Sequence, residues 1–100
     1  MRVYISGAIT GTTDHRERFD RAAAELKQLG MTPINPEPLG LVMPEDAAHA
    51  EFMQICLPLL DLAEMIYMLE GWESSKGARM EFEYATTHGI AIIFQGGRVV

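Results

Sequence analysis

Apolar residues follow two alternating patterns along this chain. Short continuous runs give way to stripes spaced three or four residues apart, and the alternation predicts β-α-β-α-β-α-β. Val3-Tyr4-Ile5 is a β-favouring run, so residues 2–6 read as a buried strand. Gly7 to Thr13 is a loop. Asp14 followed by Glu17 forms a capping-box pattern, and Phe19, Ala22, Ala23, Leu26 and Leu29 then keep helical spacing up to Gly30. Residues 31–35 read as a second strand ended by Asn35-Pro36, and Pro36 to Pro44 as a loop. A second helix is expected from about Glu45, with Phe52, Ile55, Cys56, Leu59, Leu60 and Ala63 on one stripe. Pro58 falls inside that stripe and should kink or split the helix. Residues 64–69 form a third strand, 75–88 a third helix closed by Gly89, and Ile90-Ala91-Ile92-Ile93-Phe94 a fully apolar fourth strand.

Strand–helix–strand units of this size favour a parallel sheet with helices on both faces. The expected fold is α/β: a flavodoxin-like three-layer α/β/α sandwich with strand order 2-1-3-4. Residues 95–100 leave room for a turn and a short fifth strand at the edge. In that order the chain reverses direction between strands 1 and 3, and ligands bind beyond the carboxyl ends of strands at such a switch point. The loops that meet there are Gly7–Thr13 and Glu70–Gly77.

Composition narrows the function without naming it. A chain of 100 residues predicts one domain, residues 1–100, with a moderate core that a homodimer or higher homo-oligomer would supplement. The net charge of −6, with no basic cluster, argues against nucleic-acid polymers as partners but leaves small nucleotides open. Cys56 is the only cysteine, which excludes an intrachain disulfide and fits a reducing, cytoplasmic setting. The opening run is too short for a signal peptide, and no segment has the length of a membrane span. His15, His49 and His88 are scattered and read as surface residues, so neither a metal nor another cofactor is implied.

The stretch Gly71-Trp72-Glu73-Ser74-Ser75-Lys76-Gly77-Ala78-Arg79-Met80-Glu81 carries the candidate chemistry. It joins a strand to a helix, the setting in which a helix N-terminus receives polar ligands. Ser74 or Ser75 can cap the helix. Gly77, Ala78, Glu81 and Ala85 share one face, which leaves space beside the Glu81 carboxylate. The macrodipole should favour its charged form, available as a nucleophile or base. The same spacing also fits an ordinary surface glutamate near a helix start. Glu83 points about 200° away and reads as solvated. Gly7 and Gly11 permit close approach to a phosphate or sugar, though alone their loop reads as a tight turn. Trp72 can stack on a base or sugar, or cover the sheet edge. Cys56 reads as a buried structural thiol.

Three segments together carry a family resemblance: Tyr4-Ile5-Ser6-Gly7-Ala8-Ile9-Thr10-Gly11, Asn35-Pro36, and Gly71-Trp72-Glu73-x-Ser75-x-Gly77-Ala78-x-x-Glu81-x-x-x-Ala85. With them the chain resembles the nucleoside 2-deoxyribosyltransferase-like superfamily over nearly its whole length, above all its short bacterial and phage members. The third segment is the most specific. The resemblance implies a flavodoxin-like fold, subunits that complete one another's sites, and a carboxylate nucleophile at Glu81. It implies substrate contacts at Ser75 and Gly77 for the sugar or its 5′-phosphate, and at Gly7, Ile9, Thr10 and Gly11 for base and phosphate. Thr10 stands where the related 2′-deoxynucleoside 5′-monophosphate N-glycosidases carry an arginine. Cys56 stands where active enzymes carry an aspartate, eight residues before the acidic residue that opens the third strand, here Glu64. Longer transferases also use a C-terminal polar residue beyond the end of this sequence.

The chemistry implied is attack by Glu81 on C1′ of a deoxyribosyl group, through an oxocarbenium-like transition state. The sugar then passes to another base (transferase) or to water (hydrolase). The spacing of residues reveals no proton donor for the departing base. The alternative reading is a non-catalytic nucleotide- or nucleoside-binding module, motivated by Cys56. A third is a structural or partner-binding subunit.

Overall fold

In the computed structural model, which describes residues 1–97, four strands and three α-helices alternate in the predicted order. They are β1 (Arg2–Ser6), α1 (His15–Gln28), β2 (Thr32–Ile34), α2 (His49–Asp61), β3 (Met65–Met68), α3 (Lys76–Thr87) and β4 (Ala91–Phe94). The strands lie in the order β2-β1-β3-β4, and every pairing is parallel. This is the doubly wound arrangement expected from the sequence, with its switch point between β1 and β3. Gln95–Gly97 form a 3₁₀ turn; the rest of the expected fifth strand lies outside the described residues.

Side-chain alternation along the strands divides the core between two layers. Val3, Ile5 and Leu69 pack under α1 against Phe19, Ala22 and Leu26. Tyr4, Ile66 and Met68 point to the opposite face, where Met53, Cys56 and Leu60 of α2 and Ala78 and Ala85 of α3 cover them. Ser6 is on that second face too, and is buried. Among the described residues, no helix is long and apolar enough to cross a membrane.

Six local expectations are corrected. Asp14 makes no cap bond; its φ of −112° and ψ of 14° turn the carboxylate from the helix end, and Oδ1 instead accepts from Arg18 Nε at 3.1 Å. The capping box with Glu17 is therefore absent. The stretch read as a loop after Asn35-Pro36 contains a 3₁₀ segment, Glu37–Leu41. Here the Asn35 side chain accepts from Glu37 N, and His15 Nδ1 lies 2.7 Å from the buried Glu37 carboxylate. Helix α2 starts at His49, not near Glu45, because Pro44 to Ala47 close a separate turn through Ala47 N–H and Pro44 C=O.

Pro58 neither splits α2 nor ends it. Both Pro58 and Gln54 are exposed, so the Gln54 carbonyl deprived of its partner is on the solvent side and water can satisfy it. The packed face of α2 is also rotated by about one position: Met53 is buried and Ile55 is exposed. Finally, the fully apolar β4 is only half-buried, because among the described residues it pairs with β3 alone.

Candidate active site

Glu81 occupies the second turn of α3 and faces the sheet. Small residues on the same helix face, Ala78 and Ala85, let α3 approach closely enough to bury it to 6% exposure. Two hydroxyls from alternate positions of β1 receive the carboxylate. Tyr4 OH donates to Oε2, and Ser6 Oγ donates to Oε1 at 2.7 Å. A buried carboxylate held this way is fully partnered yet poorly solvated. Burial pushes the Glu81 carboxyl up to about 7, while the Tyr4 and Ser6 hydrogen bonds pull in the opposite direction. The sequence reading gave the macrodipole the upper hand; desolvation outweighs it.

The neighbours are locked into protonated forms. Burial, and then the Glu81 charge, raise the Tyr4 hydroxyl far above its ordinary range. Burial also pushes the Cys56 thiol up to about 11, partly offset by its hydrogen bond to Tyr4. Cys56, Tyr4, Glu81 and Ser6 thus form one buried chain of polar groups linking α2, β1 and α3.

Tyr4, Cys56 and Glu81 of this chain form the floor of a cavity of about 490 Å³, a size suited to a small molecule, with Ser6 behind Glu81. Its walls come from the loop after β1, from α2, and from the start of α3. Of the residues singled out in the sequence, Gly7, Ile9, Thr10, Ser75, Gly77 and Glu81 line it together. Gly7 is there for a packing reason as well: a methyl group in place of its hydrogen would stand 3.0 Å from Leu69 Cβ, so a larger residue would require Leu69 or the loop to shift. Ser75 Oγ caps α3 by accepting from Ala78 N at 3.1 Å.

Gly11 and Trp72 stand outside the cavity lining. Gly11 has a φ of +82° and serves the turn in which Thr12 N–H and Oγ1–H both bond the Ile9 carbonyl. Trp72 stacks on Phe82 at 4.7 Å and contacts Phe94 at 6.1 Å, covering the sheet near its edge. Among the described residues its buried Nε1–H finds no hydrogen-bond partner.

Three residues escaped the sequence reading of the site. Tyr4 and Ser6 carried a usable signal: two hydroxyls two positions apart put polar groups on one face of an otherwise apolar strand. His49 carries none: it is exposed, as expected of a scattered surface histidine, and it borders the cavity as well. It lies on the cavity wall opposite the start of α3. Among the described residues, no cluster of three or more His, Cys, Asp or Glu side chains is arranged to hold a metal ion.

No curated protein matches the chain by sequence. Among solved structures it is similar to a 2-deoxyribosyltransferase of the psychrotolerant bacterium Bacillus psychrosaccharolyticus, described as a biocatalyst for synthesis of antiviral and antitumoral nucleosides. The two superpose with a TM-score of 0.76 at 14% identity, covering 100% of this chain and 77% of the other. The fold is therefore the 2-deoxyribosyltransferase-like one that the sequence motifs resemble. A family match extends over residues 1–94, and the chain belongs to the family described as Domain of unknown function (DUF4406).

Proposed function

We propose that residues 1–100 act as one nucleoside 2-deoxyribosyltransferase-like domain that cleaves the N-glycosidic bond of 2′-deoxynucleosides or their 5′-monophosphates. Glu81 is the nucleophile, and the sugar passes to a second base or to water. The observation that carries this reading is the Glu81 carboxylate itself. It is buried on a cavity floor at the switch point of the sheet, with both oxygens fixed by hydroxyls of β1.

The geometry suits the chemistry. An oxocarbenium-like transition state develops positive charge at C1′, and a fixed carboxylate in a poorly solvated cavity stabilises that charge strongly. Two hydroxyl donors hold both oxygens in place before the substrate arrives, so little reorganisation remains for the reaction. With the carboxyl titrating near 7, a substantial fraction is ionised at neutral pH and ready to attack. Gly7, Ile9, Thr10, Ser75 and Gly77 form the walls that would contact base and sugar. Gly11 and Trp72 would act indirectly, through the first loop and the sheet cover. The half-buried β4 edge and exposed Ile55 on α2 give a homo-oligomer apolar surface to cover.

One observation favours a different reading. Cys56 stands where the resemblance implies an aspartate, and its thiol is held neutral by burial. A binding module that retained the cavity but lost turnover would have that character. The experiment is a panel of 2′-deoxynucleosides and monophosphates scored for free base. Release that disappears in Glu81→Ala supports the glycosidase or transferase; saturable binding without release supports the binding module. Release unchanged in Glu81→Ala rules out the nucleophile.

A further inference from the structure

Resting on the reading of Glu81 as the nucleophile, we infer that His49 is the catalytic acid that protonates the departing base. The inference begins with a gap in the chemistry. A nucleobase leaves poorly as an anion, so bond breaking requires a proton donor on the side away from the nucleophile. The floor of the cavity supplies none. Tyr4 is engaged with Glu81, and both its hydroxyl and the Cys56 thiol hold their protons too tightly. Two nitrogen-bearing side chains stand on the wall, Lys76 and His49, and an imidazole is the side chain most often used to give a proton and then recover it.

His49 is the first residue of α2 and reaches across to α3. Its Nε2 lies 3.3 Å from where a side-chain methyl at Gly77 would sit, so the ring occupies the space that Gly77 leaves open. Gly77 precedes Glu81 by one helical turn on the same face, and such neighbours have Cβ positions about 6 Å apart. The imidazole and the Glu81 carboxylate therefore line the same cavity, which Gly77 borders between them. The described residues offer the His49 ring no hydrogen-bond partner, which leaves Nε2 free for a substrate.

The step balances without a further reagent. A Glu81 oxygen uses a lone pair to form a bond to C1′ as the C1′–N bond breaks. The pair from that bond remains on the base nitrogen, and the His49 Nε2 proton passes to the base. The neutral imidazole then takes a proton from the incoming water or acceptor base as it displaces Glu81 from C1′, restoring both groups.

The test compares 2′-deoxyguanosine with 7-methyl-2′-deoxyguanosine. The methylated base is already cationic and leaves as a neutral molecule without protonation. In His49→Gln, kcat for 2′-deoxyguanosine should fall by about 100-fold or more, the usual contribution of a general acid, while kcat for the methylated nucleoside stays within about twofold. Glu81→Gln should lose both. Equal losses of His49→Gln on the two substrates, or no loss on either, overturn the donor role and leave the Glu81 reading standing. An effect confined to KM for 5′-monophosphates also overturns it and makes His49 a phosphate contact. Failure of the wild-type protein to release base from either substrate, from their 5′-monophosphates, and from the rest of the deoxynucleoside and monophosphate panel overturns both readings.

Discussion

Tyr4 and Glu81 are 77 positions apart in the chain and meet in a buried hydrogen bond that ties the first strand to the last helix. The bond stabilises the charged carboxylate, which burial destabilises. Tyr4→Phe keeps the ring and removes the donor. The acidic limb of the pH–rate profile should then move up by about one to two pH units, because a charge-assisted hydrogen bond is worth about 1.5–3 kcal/mol. Activity at pH 7 should fall more than activity at pH 9. A profile that keeps its midpoint near 7 would separate Tyr4 from the ionisation of Glu81.

Glu81 also links folding to pH. In the unfolded chain its carboxyl ionises near 4.5, and in the folded protein near 7. Between those values the folded state retains a proton that the unfolded state has lost. Glu81's contribution to stability is thus fully present below about 4.5 and disappears as pH rises through about 7. The loss amounts to about 3 kcal/mol at most. Glu81→Gln has no proton to lose and can still bond Tyr4 and Ser6. It should be inactive, match the wild type near pH 5, and exceed it in stability at pH 8. Urea midpoints of both proteins at the two pH values measure the difference, and parallel pH dependences would refute it.

These two properties mark the limit of what local sequence reveals. The face of α3 was legible, since Gly77, Ala78, Glu81 and Ala85 recur at the helix period. So was the strand order, because continuous apolar runs alternate with amphipathic stretches. Partnership between Glu81 and β1 depends on contacts across most of the chain, and no local pattern encodes it. The titration of Glu81 depends on burial by other elements, so the α3 sequence alone pointed to the opposite shift. Asp14 fails as a cap because Arg18 competes for the carboxylate. That competition is local and was readable.

Trp72 has a buried ring nitrogen that finds no hydrogen-bond partner among the described residues, and two aromatic neighbours, Phe82 and Phe94. Trp72→Phe removes the unsatisfied N–H and preserves an aromatic cover. Stability should change by less than about 1 kcal/mol, whereas Trp72→Ala should cost about 3 kcal/mol through the void it leaves. Base release by the folded Trp72→Phe protein should match the wild type, since the ring lies outside the cavity lining. A raised KM with unchanged stability would assign Trp72 to substrate instead.

Gly7 offers the sharpest test of how the switch-point loops are joined. A methyl at this position would meet Leu69 Cβ at 3.0 Å, Cδ1 at 3.1 Å and Cγ at 3.3 Å. Leu69 is fully buried, and its N–H bonds the Ser6 carbonyl at 2.8 Å, so it has little room to retreat. Gly7→Ala should therefore destabilise the fold by about 1–3 kcal/mol and shift the first loop off the cavity, lowering activity further. Leu69→Ala alone should cost about 2–5 kcal/mol by opening a void. In the double variant the Cγ and Cδ1 contacts vanish, while the Cβ contact remains because alanine keeps that atom. The two costs should consequently add to less than their sum, with coupling that is partial. Strict additivity in urea unfolding would mean that the loop relieves the clash by moving away from Leu69, and that the close seat of β1's loop on the end of β3 is not what holds the cavity in shape.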